Sequence, residues 1–350
     1  MVRNKKTNII AVALLVVSLA LVIGVDLIRS RNPFYETAFT AMGTDVTVRL
    51  HGPGRNSAAE AIAASITREE DEYWSWNKES AMIYRLNAAT NSMPADRKTV
   101  DMLKEILFLC RDTGGELDLT VGALTKLWGF DTGRHYVPGD DELTEALMSV
   151  NFNNVVLDSL NIFVKNNGQI DLGAFGKGIA CDTAKAVMDK SRVKGGIVSF
   201  GSSILVRGPR PDKDTWSVGI RNPDGNRDEI FAVLELTNCV ISTSGAYEKG
   251  FTNNGTYYHH ILSTKTGKPV KSEFKSVTVV SEKGLLSDAL STACFILGYN
   301  DSIPLLMKYN SEAVFVDNEN NVYVTRGLRD KLTIKNDNFT IKERFDANSQ

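Results

Sequence analysis

Residues 216–242 run WSVGIRNPDGNRDEIFAVLELTNCVIS, and the pattern in this stretch decides the class of fold. Trp216–Ile220, Ile230–Leu236 and Val240–Ser242 are strand-like runs in direct succession, with no helical segment between them. Further strands are expected downstream at Tyr257–Leu262, Ser276–Val280, Ala313–Val316, Val322–Thr325 and Leu332–Ile334. Upstream, Asp45–Leu50 alternates as DVTVRL, and Asn154–Lys165 reads as a hairpin with VVLD and IFVK around Ser159–Asn161. Gly196–Val206 reads as one apolar strand with glycine and serine at its centre. Helical spacing appears at Ala58–Asp71, Thr99–Cys110 (stopped by Gly114-Gly115), Ile179–Lys190, Leu286–Leu297 and Ile303–Tyr309. Strands outnumber helices and do not alternate strictly with them. The expected class is therefore α+β, with mostly antiparallel sheets flanked by helices.

The chain has 350 residues, with 40 Lys and Arg against 42 Asp and Glu, a formal charge of −2. That balance excludes the basic excess on which phosphate-backbone contacts rest, so no nucleic-acid partner is expected. At 43% hydrophobic and 23% charged the composition is globular. Cys110, Cys181, Cys239 and Cys294 lie at least 55 residues apart, so no C-x-x-C pair can build a zinc ribbon or redox motif. Cys110, Cys181 and Cys294 sit in apolar contexts and read as buried thiols. With four histidines in all, a metal here is expected to be a hard one held by oxygen.

Ile9–Val25 is broken only by Ser18 and Gly24 and continues through Asp26 to Leu27-Ile28. It is just long enough to span hydrocarbon, which takes roughly 17–25 apolar residues. Arg3, Lys5 and Lys6 precede it, favouring a cytoplasmic amino terminus. Cleavage as a signal peptide at Ser18-Leu19-Ala20 would strand the apolar Leu21–Val25, so an uncleaved anchor is the expectation. Residues 1–30 are then a membrane anchor or signal segment. Residues 31–350 form one catalytic unit on the extracytoplasmic side.

Six short segments are too polar or too rich in glycine for their surroundings. Ala41-Met42-Gly43-Thr44 by itself is a turn. Trp74-Ser75-Trp76-Asn77 offers two indoles that read either as core or as a stacking platform for a planar ligand. Gly114-Gly115-Glu116-Leu117-Asp118-Leu119-Thr120-Val121-Gly122 could admit a ligand close to backbone, or be a helix stop followed by a strand. Asp171–Gly178, DLGAFGKG, follows a strand and opens a helix, a junction whose amides and lysine suit a phosphate. Neither a P-loop nor a Rossmann spacing is present. Ile241-Ser242-Thr243-Ser244-Gly245 precedes His260 by sixteen residues from Ser244, but no G-x-S-x-G elbow supports a serine hydrolase. In Ser287-Asp288-Ala289-Leu290-Ser291-Thr292-Ala293, Asp288 and Thr292 share one helical face. They form either a sparse oxygen site fit for Mg²⁺ or a helix cap with a buried threonine.

The order of these segments is more specific than any one of them. A-M-G-T, G-G-x-x-D-x-T-V-G-x-L-x-x-L-W-G-F, D-L-G-A-x-x-K-G, I-S-T-S-G, H-I-L-x-x-x-T-G-x-P and S-D-A-L-S-T-A occur in one succession between about residues 36 and 335. That succession strongly resembles the ApbE family, the FAD:protein FMN transferases. The resemblance implies cleavage of the FAD diphosphate with Mg²⁺ and transfer of FMN, through a phosphoester bond, to a threonine or serine of another protein, with release of AMP. It also implies export or membrane anchoring, in agreement with residues 1–30.

Position by position, the resemblance puts Met42, Trp76 and the backbone of Glu116, Leu117 and Asp118 against the flavin and adenine ends. Asp171 and Lys177 contact FAD, and Leu262 contributes its backbone. The Ala174 carbonyl, the Asp288 carboxylate and the Thr292 hydroxyl hold the metal, and His260 assists the acceptor hydroxyl. Family acceptors carry a D-x-x-[ST]-G-A-[ST] type motif, so the implied partner is an extracytoplasmic protein with an FMN-binding domain, part of a membrane electron-transfer system. Two departures stand out: Gly201-Ser202-Ser203 where G-G-N or G-G-x is usual, and Ser263-Thr264 where D-P is frequent. The competing activities are an FAD diphosphatase using the same metal, and a non-catalytic anchored flavin-binding protein.

Overall fold

A computed structural model describes residues 33–130 and 132–343. The expected membrane segment, Ile9 to Ile28, lies outside the described residues. Among the described residues no helix is long and apolar enough to cross a membrane.

The centre is a nine-stranded sheet built, in spatial order, from β1 (Phe34–Ala41), β2 (Thr44–His51), β6 (Gly195–Phe200), β7 (Ser203–Arg207), β10 (Cys239–Gly245), β13 (Phe274–Ser281), β14 (Glu312–Asp317), β15 (Asn321–Val324) and β17 (Thr340–Ile341). Every pairing is antiparallel except the last, β15 with β17. Side chains alternate across a strand, and here both faces are covered. One face of the sheet, with Leu205, Val240, Val279 and Phe315, packs on helices. The opposite face, with Val206, Ile241, Val280 and Val316, packs on a small sheet of β8 (Trp216–Arg221), β9 (Ile230–Leu236) and β16 (Leu332–Ile334). A strand buried on both faces reads as a continuous apolar run, which is why β14 shows no alternation over Ala313–Val316, with Ala313 and Phe315 on one face and Val314 and Val316 on the other.

The helical layer contains α1 (Arg55–Glu69), α3 (Arg97–Asp112), α6 (Gly176–Lys190), α7 (Gly284–Leu297) and α8 (Tyr299–Lys308). Helix α6 lies over β6 and β7, α7 lies over β10 and β13, and the two helices pack on each other. Shorter pieces complete the fold: α2 (Met82–Ala88), α4 (Gly122–Trp128) and α5 (Asp140–Leu147), a π-turn at Glu70–Trp74, the strands β3 (Met93–Pro94), β4 (Val155–Asp158) and β5 (Asn161–Val164), and a separate hairpin of β11 (Gly250–Asn253) and β12 (Thr256–His259).

The α+β class with a large, mostly antiparallel sheet flanked by helices is as expected. Three local expectations are corrected. Gly196–Val206 is a hairpin, β6 and β7, turning at Gly201 with φ +73°. The alternative of a strand after the helix stop at Gly114-Gly115 is not met: the segment is a loop leading into α4. The strand expected over Tyr257–Leu262 ends at His259, with only an isolated bridge from Leu262 to Pro269 beyond it. All four cysteines are buried and unpaired, and burial pushes the Cys110 thiol up to about 12.

Candidate active site

The start of α6 and the first two turns of α7 meet beneath β7 and β10, and the polar groups of the site lie at that meeting. Asp288 is buried on α7. Its Oδ2 accepts the Gly178 amide at 2.9 Å, and its Oδ1 accepts the Ser203 hydroxyl at 3.2 Å. Burial raises its carboxyl above the usual carboxylate range, while Lys177 and these hydrogen bonds pull the other way. In a regular helix the Gly178 amide would bond back to the carbonyl four residues earlier, that of Ala174. Here it is spent on Asp288, and none of the described hydrogen bonds ends on the Ala174 carbonyl. Capping of α7 falls to Asp182, which accepts the Gly284 and Leu285 amides at 2.7 and 2.9 Å. The alternative of Asp288 as a helix cap is thereby excluded.

One turn on, the Thr292 hydroxyl lies 3.0 Å from Ser244 Oγ, which lies 2.8 Å from Ser291 Oγ. Ser291 donates its single proton to the Asp288 carbonyl at 2.8 Å. A hydroxyl has one proton and two lone pairs. Ser244 therefore donates to Ser291, Thr292 donates to Ser244, and the Thr292 oxygen keeps its lone pairs free. An uncommitted backbone carbonyl, a buried carboxylate and a hydroxyl oriented as an acceptor are hard-cation chemistry. Among the described residues no group of three or more His, Cys, Asp and Glu could hold a metal, so the donor set is one charge and neutral oxygens. That set fits Mg²⁺ when phosphates and water complete its shell.

Lys177 projects from the first turn of α6, where it donates to the Ser202 hydroxyl in the β6–β7 turn. Met42 occupies the β1–β2 turn with φ +53°, and its amide donates to Glu70 Oε2 at 3.0 Å. Its Cε stands 2.9 Å from where a Cβ on Gly176 would be, so the thioether lies over the first residue of α6. Asp171 donates its amide to the Leu119 carbonyl at 2.8 Å and accepts the Gly173 amide on Oδ1 at 2.7 Å. It thus ties the glycine-rich loop to the entry of α6.

Within that loop the Asp118 carboxylate is buried and occupied, accepting the Thr120 amide and hydroxyl at 2.7 and 2.6 Å and the Phe152 amide at 2.7 Å. It holds the loop together, and what it offers a ligand is backbone. Leu117 is buried, with its amide on Thr113 Oγ1 at 3.2 Å. Glu116 pairs with Lys265, and Thr264 donates to the Gly115 carbonyl at 2.8 Å. These contacts bring the loop against the segment that follows His260. The bonds of the Leu262–Pro269 bridge run from Ser263 N to Lys268 O and from Val270 N to Ile261 O. In such a pair the amide and carbonyl of Leu262 itself face away from the bridge.

His260 is half-buried, and its amide and Nδ1 both donate to the Lys249 carbonyl, at 3.1 and 3.0 Å. A proton on Nδ1 leaves Nε2 as the free base. Burial, opposed by the Lys249 carbonyl and aided by the charges of Lys249, His259 and Lys177, lowers its pKa to about 4. It is a neutral imidazole at pH 7. Ser244 is bonded to Ser291 and Thr292, while the described bonds of His260 go to Lys249, so the serine-hydrolase pairing is absent among the described contacts. Of the two indoles, Trp74 is core and Trp76 is half-exposed. No described contact joins Trp76 to the other residues of the site. From sequence, Gly201-Ser202-Ser203 stands out only as a departure able to alter acceptor docking or the surroundings of the metal; the bonds of Ser202 to Lys177, of Ser203 to Asp288 and of Ser242 to Ser203 are set by the fold, and their signal is polar residues inside otherwise apolar strands.

Residues 42–315 match the ApbE family. A FAD:protein FMN transferase of Treponema pallidum is 30% identical over 338 residues, covering 90% of this chain and 93% of its own. One of Klebsiella pneumoniae is 25% identical over 308 residues, covering 86% and 94%. Among solved structures, the ApbE protein of Thermotoga maritima superposes with a TM-score of 0.78 at 29% identity, over 84% of this chain and 97% of its own. The flavin transferase ApbE of Vibrio cholerae shares the fold, with a TM-score of 0.76 at 22% identity over 85% and 99%. With more than half of its length matched by the family and a 30% identical relative covered almost end to end, the chain belongs to the ApbE family.

Proposed function

We propose that the chain is a transferase, a Mg²⁺-dependent FAD:protein FMN transferase that joins FMN to a threonine or serine of an extracytoplasmic acceptor protein. The observation that carries this reading is the pairing of Lys177 at the start of α6 with the oxygen set of Ala174, Asp288 and Thr292 beside it. Passive flavin binding needs no such set.

In this reading the Ala174 carbonyl, the Asp288 carboxylate and the Thr292 hydroxyl hold Mg²⁺, which supplies charge neutralisation and orientation of the diphosphate. Lys177 adds a second positive charge from the opposite helix. Met42, over the start of α6, and the backbone of Glu116, Leu117, Asp118 and Leu262 bound the rest of the FAD, with Trp76 as a stacking surface and Asp171 as a polar contact. The acceptor hydroxyl oxygen attacks the phosphorus of the FMN half. The P–O bond to the bridging oxygen breaks, AMP leaves with that oxygen, and the hydroxyl proton passes to His260 Nε2. The base contributes about 10²–10⁴-fold. Anchoring through residues 9–28 at the cytoplasmic membrane, with the catalytic part outside, would hold the enzyme on the surface where a membrane electron-transfer acceptor resides.

The test mixes the full-length chain in detergent with FAD and Mg²⁺, and follows AMP release and intact mass with and without an FMN-binding acceptor. AMP release coupled to an FMN adduct on the acceptor is the expected result. Equal AMP release without acceptor would make the chain an FAD diphosphatase; none under either condition would make it a flavin-binding protein.

A further inference from the structure

The turn between β6 and β7 supplies one hydroxyl to each of the two charged groups of the site. Ser202 accepts a hydrogen bond from Lys177, and the next residue, Ser203, donates one to Asp288. Ser203 is fully buried, as is Ser242, its cross-strand partner on β10, and Ser242 donates to Ser203 Oγ at 3.0 Å. Because Ser242 supplies a proton to Ser203, the single proton of Ser203 is free to point at Asp288. The carboxylate is then fixed from two sides, by Gly178 on Oδ2 and by Ser203 on Oδ1, and each oxygen keeps lone-pair capacity for a cation. Lys177 has no such rigidity of its own. A lysine is a point charge on a flexible four-carbon stem, and the Ser202 hydroxyl gives it one place to rest. A positive φ of +73° at Gly201 makes the tight turn that sets the two serines side by side.

We propose that Gly201-Ser202-Ser203 is a positioning element with two separable roles: Ser203, backed by Ser242, orients Asp288 for the metal, and Ser202 places Lys177 for the diphosphate. The proposal rests on the transferase reading, in which Asp288 holds Mg²⁺ and Lys177 faces FAD. None of the three serines touches the reacting atoms. Outer-shell partners of this kind change metal affinity by about 10–100-fold.

Two binding measurements on the full-length chain separate the roles without using activity. Mn²⁺ binding, followed by electron paramagnetic resonance, reports on Asp288; quenching of FAD fluorescence in chelator reports on Lys177. Ser203→Ala is expected to weaken Mn²⁺ binding about tenfold or more and to leave metal-free FAD binding unchanged. Ser203→Thr, which keeps the hydroxyl, restores Mn²⁺ binding. Ser202→Ala is expected to show the reverse, weaker FAD binding with unchanged Mn²⁺ affinity. Wild-type Mn²⁺ affinity in Ser203→Ala, or equal losses of both ligands in both variants, overturns the proposal while leaving the transferase reading intact. A wild-type chain that binds neither probe sinks both.

Discussion

Gly178 and Gly284 touch backbone to backbone where α6 and α7 cross. A Cβ on Gly178 would stand 2.1 Å from the Gly284 carbonyl oxygen and 2.7 Å from the Asp288 Cβ, and a Cβ on Gly284 would stand 2.1 Å from the Gly178 carbonyl oxygen. Such contacts are far inside van der Waals range, so only two glycines allow this approach. It is the approach that lets the Gly178 amide reach Asp288. Gly178→Ala is expected to push the helices apart, costing about 1–3 kcal/mol of stability as overpacking does. The same shift breaks the amide–carboxylate bond. Thermal unfolding and AMP release, measured together, should both fall; a variant matching wild type in both would show that the crossing can relax at no cost.

Asp288 is the only charged group in the proposed metal set, and it is held in a buried position that disfavours its charge. Asp288→Asn keeps the shape and an acceptor for the Gly178 amide while removing the charge. Folding is therefore expected to survive, with a Tm at or above wild type, since desolvation of the carboxylate is relieved. FAD cleavage is expected to drop by at least about a hundredfold, as it should for wild type in excess chelator. Wild-type turnover in the variant, or full activity in chelator, would refute the assignment.

His260 gives a pH signature. Its pKa is depressed to about 4 from the ordinary 6.5, burial being the largest cause. Between those values the unfolded chain takes up a proton that the folded chain does not, so this residue's contribution to stability is full above 6.5 and declines as pH falls toward 4. For catalysis the consequence is that Nε2 stays unprotonated well below neutrality. Transfer should hold steady from pH 7 down to about 5 and fall only near 4. An acid limb centred at 6.5 would show that the titrating base is an exposed imidazole. His260→Ala should slow transfer far more than it weakens FAD binding, and an equal loss in affinity with unchanged turnover would make His260 a binding residue.

How much of this was legible beforehand depends on the range over which each feature is determined. Strands with a strong apolar run, such as Ile230–Leu236, appear with the bounds read from sequence. The β6–β7 hairpin reads as a single strand because Gly201-Ser202 lacks the Asn-Gly or Asp-Gly turn signal, and because apolar residues resume directly after Gly201-Ser202-Ser203. Helices α2, α4 and α5, of seven or eight residues each, are too short for periodicity to declare them. In the site, the i, i+4 spacing of Asp288 and Thr292 was visible. Their hydrogen-bond partners Gly178, Ser203 and Ser244 were not, since each lies at least 48 residues away in sequence. The occupied carboxylate of Asp118 is likewise a product of tertiary contact, through Phe152.

The acceptor is expected to be another protein, with no FMN joined to this chain itself. The nearest internal match to the acceptor motif implied by the family resemblance is Ser244-Gly245-Ala246, followed by Tyr247 where a hydroxyl residue belongs, and with Ile241 in place of the acid. Structure argues the same way. Ser244 lies on β10, with its Cα opposite Val277 of β13, and β10 is also paired with β7 on its other side over Cys239–Ser242. Its hydroxyl proton is committed to Ser291, and its lone pair receives Thr292. To act as a nucleophile it would have to leave its place on β10 beside β13 and disrupt the orientation of a proposed metal ligand. No described contact joins Ser244 to His260, whose Nε2 is the base such a hydroxyl would need. Intact-mass measurement of the full-length chain after incubation with FAD and Mg²⁺ should therefore return the unmodified mass, and addition of a flavin-carrying acceptor should move the FMN onto that partner. A stoichiometric covalent FMN on this chain alone would mean that β10 can open, and that the hydroxyl network read here as support for the metal is itself a substrate.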